Sequence, residues 1–142
     1  MSIETLTVYT LDDQVGYLLR LASQRHAVIF QTHSPDGLTP THFSALLRIS
    51  EQGKVSQNQL GRLAAMDVAT VKGVVDRLRA KGLARTRSDP DDKRRSIISL
   101  TVQGAALIEG LKCCGTRITA QTLDPLSATE QDTLVRLLRK IS

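Results

Sequence analysis

The chain has 142 residues, the length of one domain or of one domain with an appended assembly element. With 41% apolar and 23% charged residues it can bury a core, which argues against disorder, and no apolar run approaches the ~18 residues of a membrane span. The net charge is +5, and the two adjacent cysteines, Cys113 and Cys114, cannot staple a secreted framework.

Met1 to Thr10 lacks the basic-then-apolar pattern of a signal peptide, so a cytoplasmic protein is expected. Leu11 to about Thr32 reads as a long helix, because Val15, Leu18, Leu19, Ala22, His26, Ile29 and His33 recur at three- and four-residue steps. Ser34-Pro35-Asp36-Gly37 breaks it. Thr39 and Pro40 then start a second helix as N-cap and first helical residue. Leu38 and Phe43 occupy the positions of a hydrophobic staple. The inward stripe of this helix is Phe43, Leu46, Leu47 and Ser50, and Gly53 ends it. Ser56 opens a third helix, with capping-box spacing to Gln59 and staple spacing between Val55 and Leu60. Leu60, Leu63 and Ala64 face inward. After a short break near Met66, Asp67 caps a fourth helix, Val68 to Lys81.

That fourth helix carries the functional signal. Val68, Val71, Val75 and Leu78 share one face, while Ala69, Thr70, Gly73, Arg77 and Ala80 lie opposite. A solvated face is normally filled with long polar side chains. Small residues there let the backbone come close to something. Gly82 stops the helix in the left-handed cap conformation. Leu83–Ser88 and Ser96–Leu100 read as strands around the polar turn Asp89-Pro90-Asp91-Asp92-Lys93-Arg94-Arg95, a β-hairpin with a charged tip. Thr101 caps a long helix to about Leu123, with Ala105, Ile108, Leu111 and Ile118 along it. Asp124-Pro125 breaks it. A last helix opens on the capping box Ser127–Glu130 and carries the stripe Leu134, Leu137, Leu138 and Ile141.

The charge is not spread evenly. Lys54 to Arg95 holds eleven basic and five acidic residues, a net +6, and the rest of the chain is −1. A basic face of this kind is either solvated or a footprint for a polyanion. Here it coincides with two short capped helices and a basic hairpin, a winged helix-turn-helix. The major groove of double-stranded DNA admits one helix, which must come close to read base edges. Ala69, Thr70, Gly73 and Arg77 would face the groove, with Lys72 on the flank. Thr70 suits a base hydrogen bond or a thymine methyl, and Arg77 a guanine edge or a phosphate. Arg94 at the wing tip suits the electronegative minor groove, and Asp92 can pair with a wing arginine to hold the loop. Ser56, Gln57, Arg87, Lys93 and Arg95 complete the candidate DNA contacts.

The predicted fold is mainly α with a small β component (α+β). Residues 38–101 form the winged helix-turn-helix DNA-binding domain, and residues 1–37 with 102–142 a helical dimerisation bundle. A two-fold homodimer would set two recognition helices into successive major grooves of a pseudo-palindrome.

Asp76-Arg77-Leu78-x-x-Lys81-Gly82-Leu83-x-Arg85, Asp89-Pro90-x-Asp92-Lys93-Arg94 and Leu100-Thr101-x-x-Gly104, with Leu38-Thr39-Pro40-x-x-Phe43, together resemble the MarR (multiple-antibiotic-resistance regulator) winged-helix repressors. The resemblance runs from Leu11 to Ile141. It implies an obligate homodimer, DNA binding through the fourth helix and wing, and release by a small phenolic or aromatic-acid effector. Asp92 and Arg94 match the wing-tip Asp and Arg of the family. The family's pocket implies Arg20, His26, Phe30, Thr39, His42 and Phe43 as candidate ligand residues. A ligand carboxylate favours Arg or protonated His, and an aromatic ring favours Phe. His26 and His42 read equally well as ordinary helix histidines. Gln14-x-Gly16-Tyr17-Leu18-Leu19-Arg20 resembles members that govern breakdown of aromatic or N-heterocyclic acids.

A redox-responsive regulator sensing oxidants through Cys113 and Cys114 is the alternative, against which both cysteines read as small hydrophobes of a helix. His26, His33, His42 and the cysteines lack known ligand spacing, so no metal or cofactor is expected. No Gly-rich phosphate loop, G-x-S-x-G or H-E-x-x-H occurs, so no catalytic residues are expected. The basic helix exposes Ala, Thr and Gly rather than Phe, Trp or Leu, which is unsuited to a membrane surface.

Overall fold

A computed structural model describes residues 8–34 and 37–142. Residues 1–7, read above for a signal sequence, and Pro35 and Asp36 of the expected helix break lie outside them. The elements are α1 (Val15–His33), α2 (Pro40–Gln52), β1 (Lys54–Ser56), α3 (Gln57–Leu63), α4 (Val68–Ala80), β2 (Ala84–Ser88), β3 (Ser96–Leu100), α5 (Val102–Leu123) and α6 (Ala128–Ile141). The chain forms two compact units, Ser34–Arg117 and Met1–His33 with Ile118–Ser142.

In the Ser34–Arg117 unit, local chemistry sets each boundary. Thr39 caps α2, with His42 closing the capping box in place of the usual Glu or Gln, and Pro40 supplies the first helical residue. Gly53 ends α2 at φ +76° and Gly82 follows α4 at φ +74°, both in the region that glycine tolerates best. Ser56 Oγ accepts the Gln59 N–H at 3.2 Å, and Asp67 Oδ1 accepts the Thr70 N–H at 2.8 Å. Three strands pair antiparallel in the order β1-β3-β2. One sheet face turns Val55, Ala84 and Ile98 into the core, where they join Leu46, Ile49, Leu60, Val71 and Leu78.

Four expectations need correction. β1 was not foreseen: three residues are too few for a period, and Val55 packs as a strand residue opposite Ile98. Val68 is 72% exposed. The buried stripe of α4 is Val71, Val74, Val75 and Leu78, at spacings i, i+3, i+4 and i+7, and Val68 lies one turn before it, past the edge of the core. In α2 the buried residues are His42, Ala45, Leu46 and Ile49, so the stripe is rotated by about one residue from Phe43, Leu47 and Ser50. The first helix begins at Val15, preceded by a 3-10 turn at Leu11–Asp13. The core of this unit also takes in Ile108 and Leu111 from the first half of α5.

The tight turn between α3 and α4 holds Ala65 at φ +54°, a left-handed conformation. This costs a non-glycine residue about 1–2 kcal/mol, whereas glycine adds about 0.4–1 kcal/mol of unfolded-state entropy. Ala65→Gly is therefore expected to raise Tm slightly. A lower Tm in thermal denaturation would contradict strain at this position.

In the other unit, the Arg25 guanidinium donates to the Thr122 carbonyl (2.7 Å) and the Gln121 carbonyl (3.1 Å), satisfying the open C-terminal end of α5. His26 Nδ1 lies 2.8 Å from Thr122 Oγ1, and His33 hydrogen-bonds Gln121. The Ser127–Glu130 capping box opens α6. Val15, Leu18, Leu19, Leu137, Leu138 and Ile141 are exposed on the protomer.

Candidate nucleic-acid interface

The interface is built within the Ser34–Arg117 unit. Gly61 lets α3 and α4 meet closely: a Cβ there would lie 3.0 Å from Val71 Cγ2 and 3.1 Å from the Met66 carbonyl oxygen. This fixes the helix-turn-helix angle and leaves Ala69, Thr70, Lys72, Gly73 and Arg77 exposed on α4. Gly73 has nothing within 4 Å of its Cβ direction, so the face is open as well as small.

Thr70 is more constrained than its sequence suggests. Its backbone N–H and its hydroxyl both bond the Asp67 carboxylate, and these bonds, the backbone one first, hold Asp67 below the usual carboxylate range. With its hydroxyl turned toward Asp67, Thr70 can still offer a base its methyl group and the lone pairs of Oγ1.

The wing tip is ordered by its own acids. Asp92 Oδ1 accepts the Arg94 backbone N–H at 3.1 Å and Arg94 Nε at 3.2 Å. The Arg94 side chain is still 92% exposed. Asp89 Oδ1 accepts the Asp91 N–H at 2.9 Å, Asp89 N–H donates to the Arg95 carbonyl at 2.9 Å, and Arg95 Nε lies 4.0 Å from Asp89 Oδ2. Lys93 is exposed beside them.

The fold brings the start of α3 to the root of the wing. Ser56, Gln57 and Asn58 line one cleft of about 170 Å³ with Arg94, Arg95 and Ser96. Gln57 and Asn58 also line a second, of about 490 Å³, beside the α4 N-terminus with Arg62, Asp67 and Val68. Asn58 and Arg62 were missed in the sequence because neither periodicity nor a motif marks them. Ser56, expected as a DNA contact, is buried, and its hydroxyl serves as the α3 cap. Arg87 lies in β2, opposite Ile97, and is exposed.

The candidate ligand residues divide between the units. In the unit that holds α1, the Arg20 guanidinium stands 5.8 Å from the Tyr17 ring centroid, and the His26 and Phe30 rings are 6.5 Å apart. In the Ser34–Arg117 unit, the Thr39 N–H donates to His42 Nδ1 at 3.3 Å, and the two side chains also meet through Thr39 Oγ1 and Nδ1. Phe43 is half-buried, with its ring against Gly115, where a Cβ would lie 3.0 Å from Cζ.

Burial, then the charges of Arg77 and Lys81, push His42 below its ordinary value near 6.5. Its neutral form, accepting at Nδ1 from the Thr39 N–H and protonated at Nε2, is the one that fits in the protein alone. Folding favours that neutral form. The stability it brings is complete above the unfolded value near 6.5 and is lost as pH falls through the lower, folded value. His42→Gln is expected to flatten the decline of Tm between about pH 7 and pH 5. An unchanged decline would remove His42 as its source.

Cys113 is exposed and Cys114 half-buried. Among the described residues, no three His, Cys, Asp or Glu side chains gather to hold a metal ion, and no helix is long and apolar enough to cross a membrane.

Residues 36–95 match the sequence profile of the MarR family. The HTH-type transcriptional repressor NicR of Pseudomonas putida is 40% identical over 136 residues, which is 95% of this chain and 86% of that protein. The structure of Bordetella bronchiseptica BpsR, a protein whose DNA binding is regulated by 6-hydroxynicotinic acid, superposes with a TM-score of 0.89 at 40% identity, covering 94% of this chain and 96% of that one. An Escherichia coli MarR variant bound to operator DNA gives a TM-score of 0.81 at 27% identity over 89% of this chain and 92% of that one. With the exposed small-residue face of α4, the ordered wing and these full-length likenesses in view, the chain belongs to the MarR family and is a DNA-binding transcriptional repressor.

Proposed function

We propose that the chain acts as a homodimer on a pseudo-palindromic operator and is released by a small aromatic carboxylic acid. The observation that carries the DNA part is α4, whose outer face of Ala69, Thr70 and Gly73 is exposed and open beside a wing that presents Arg94. Residues 38–101 are the DNA-binding domain, and residues 1–37 with 102–142 the dimerisation region. The apolar residues exposed on α1 and α6 support this, since an uncovered stripe on a protomer is what a two-fold partner buries. Thr70 contacts a thymine methyl. Arg77, exposed on the flank of the outer face of α4, takes a guanine edge or a phosphate. Gln57, Lys72, Arg87, Lys93 and Arg95 add backbone contacts.

The effector is an aromatic or N-heteroaromatic acid, a class supported by the regulation of BpsR by 6-hydroxynicotinic acid. Arg20 supplies the charge for its carboxylate, His42 a neutral Nε2–H donor, and Phe30 and Phe43 apolar surface for the ring, with His26 and Thr39 as further polar partners. Release is then a population shift: the acid binds the DNA-incompetent dimer more tightly than the competent one.

An operator duplex selected from random-sequence DNA provides the probe. Titrating a panel of benzoic, hydroxybenzoic and hydroxynicotinic acids into a mobility-shift assay should dissociate the complex with at least one of them. No release by any acid would overturn the effector assignment and leave DNA binding intact. Thr70→Ala should relax preference at one base pair, and Thr70→Val, which keeps the methyl, should retain it. A uniform loss on random DNA for both would move Thr70 to the backbone.

A further inference from the structure

The outer face of the three-stranded sheet carries charge that neither α4 nor the wing tip uses. The register sets Lys54 opposite Ser99 and Ser99 opposite Arg85. Neighbouring strands lie about 4.8 Å apart, so two cations flank one serine in a row across the sheet. Arg87 follows Arg85 by two residues and shares its face. Lys54, Arg85 and Arg87 are exposed, and none is ion-paired among the described residues. Arg85 Nε donates to Ser99 Oγ at 3.3 Å. With Gly53 and Ser99 the three cations line an open cleft of about 610 Å³. No Asp or Glu occurs in β1, β2 or β3.

Like charges clustered on one face repel, and among the described residues no carboxylate pairs with them. They are also continuous with the wing. Arg87 stands two residues before Asp89, at the root of the tip that presents Arg94, and Arg85 and Lys54 extend the same track away from it. Cations on a sheet face, away from the recognition helix, meet phosphate as charge and carry no sequence information.

We infer that Lys54 and Arg85, continuing the track from Arg87, bind the phosphate backbone of duplex DNA outside the operator core, so that the footprint extends beyond the wing. This rests on the DNA-binding reading and adds a sequence-independent contact to it. Each phosphate neutralised adds about 0.9 to the slope of log affinity against log salt.

The test compares two duplexes with the full chain. One carries the selected operator core alone, and the other the same core with one further helical turn of arbitrary sequence on each side. The wild-type slope should be steeper on the long duplex by about two units or more. Lys54→Ala/Arg85→Ala should lose most of that excess while binding the short duplex as wild type does. Lys54→Arg/Arg85→Lys, which keeps the charge, should retain it. Equal wild-type slopes on the two duplexes would overturn the inference. So would an equal loss on both duplexes in the alanine variant, which would put the pair in the core interface or in folding. Wild-type binding of the short duplex separates failure here from failure of the DNA-binding reading.

Discussion

Gly104→Ala is expected to destabilise the winged-helix unit by more than about 3 kcal/mol, at the upper end of overpacking effects. A Cβ at position 104 would fall 2.0 Å from the Leu83 carbonyl oxygen, 2.9 Å from its carbon and 3.3 Å from the Leu83 Cα. The obstacle is backbone, and it is held in place. Leu83 O accepts the Thr101 N–H at 3.1 Å, Thr101 Oγ1 donates to the Gly82 carbonyl at 2.6 Å, and the Gly104 N–H donates to Thr101 Oγ1 at 3.0 Å. The first turn of α5 is therefore bolted to the corner between α4 and β2. Alanine is better than glycine in a helix by about 1 kcal/mol, so propensity pulls the opposite way and the clash must exceed it. Gly110→Ala isolates that term: the position is in the same helix, exposed, with nothing within 4 Å. It should leave Tm unchanged or raise it by a few degrees, whereas Gly104→Ala should lower it by more than about 10 °C. A Gly104→Ala protein melting with the wild type would contradict the close approach of α5 to Leu83.

Capping chemistry made the element order legible in the sequence. Thr39, Asp67 and Ser127 each accept the expected backbone N–H, and Gly53 and Gly82 each end a helix with positive φ. Such signals are local, and they survive whatever the tertiary packing does. The exposed face of α4 was legible for a related reason: Ala69, Thr70 and Gly73 are too small for a solvated face, which is a property of residue type. The buried faces were read less well. Val68 has the character of a core residue, but it sits in the first turn of α4, before the buried stripe, and is exposed. His42 gave no sequence signal that it would replace Glu in a capping box and lose basicity, because Arg77 and Lys81 come near it only through packing of α2 against α4. Asn58, on no recognisable period, meets Arg94 in one cleft only because α3 begins beside the root of the wing. The sheet-face cations were hidden for the same reason: Lys54 and Arg85 are 31 positions apart and become neighbours through β3 alone.

Arg94→Ala is expected to weaken operator binding by about 1–3 kcal/mol for each wing engaged and to lower the salt slope by about one unit per wing. The side chain is 92% exposed, so its loss removes no folded-state packing, and Tm should not move. What it removes is the cation that, on the proposed reading, enters the minor groove from an ordered loop. Asp92 supplies the order, through two bonds from Arg94 to one carboxylate oxygen. Charge and position can thus be separated by mutation. Arg94→Lys keeps the charge and forfeits the Nε bond to Asp92, so it should retain most of the salt slope with a smaller loss of affinity. Asp92→Ala keeps Arg94 but frees it, and also deletes a negative charge beside the DNA. Binding to random duplexes should therefore hold or strengthen while preference for the operator falls. Asp92→Asn retains an oxygen that can accept the Arg94 N–H, and should recover part of that preference. If Asp92→Ala weakened operator and random DNA equally, the carboxylate would be supporting the wing as a whole rather than aiming Arg94. If Arg94→Ala bound the operator as wild type at every salt concentration, the wing would not reach the minor groove.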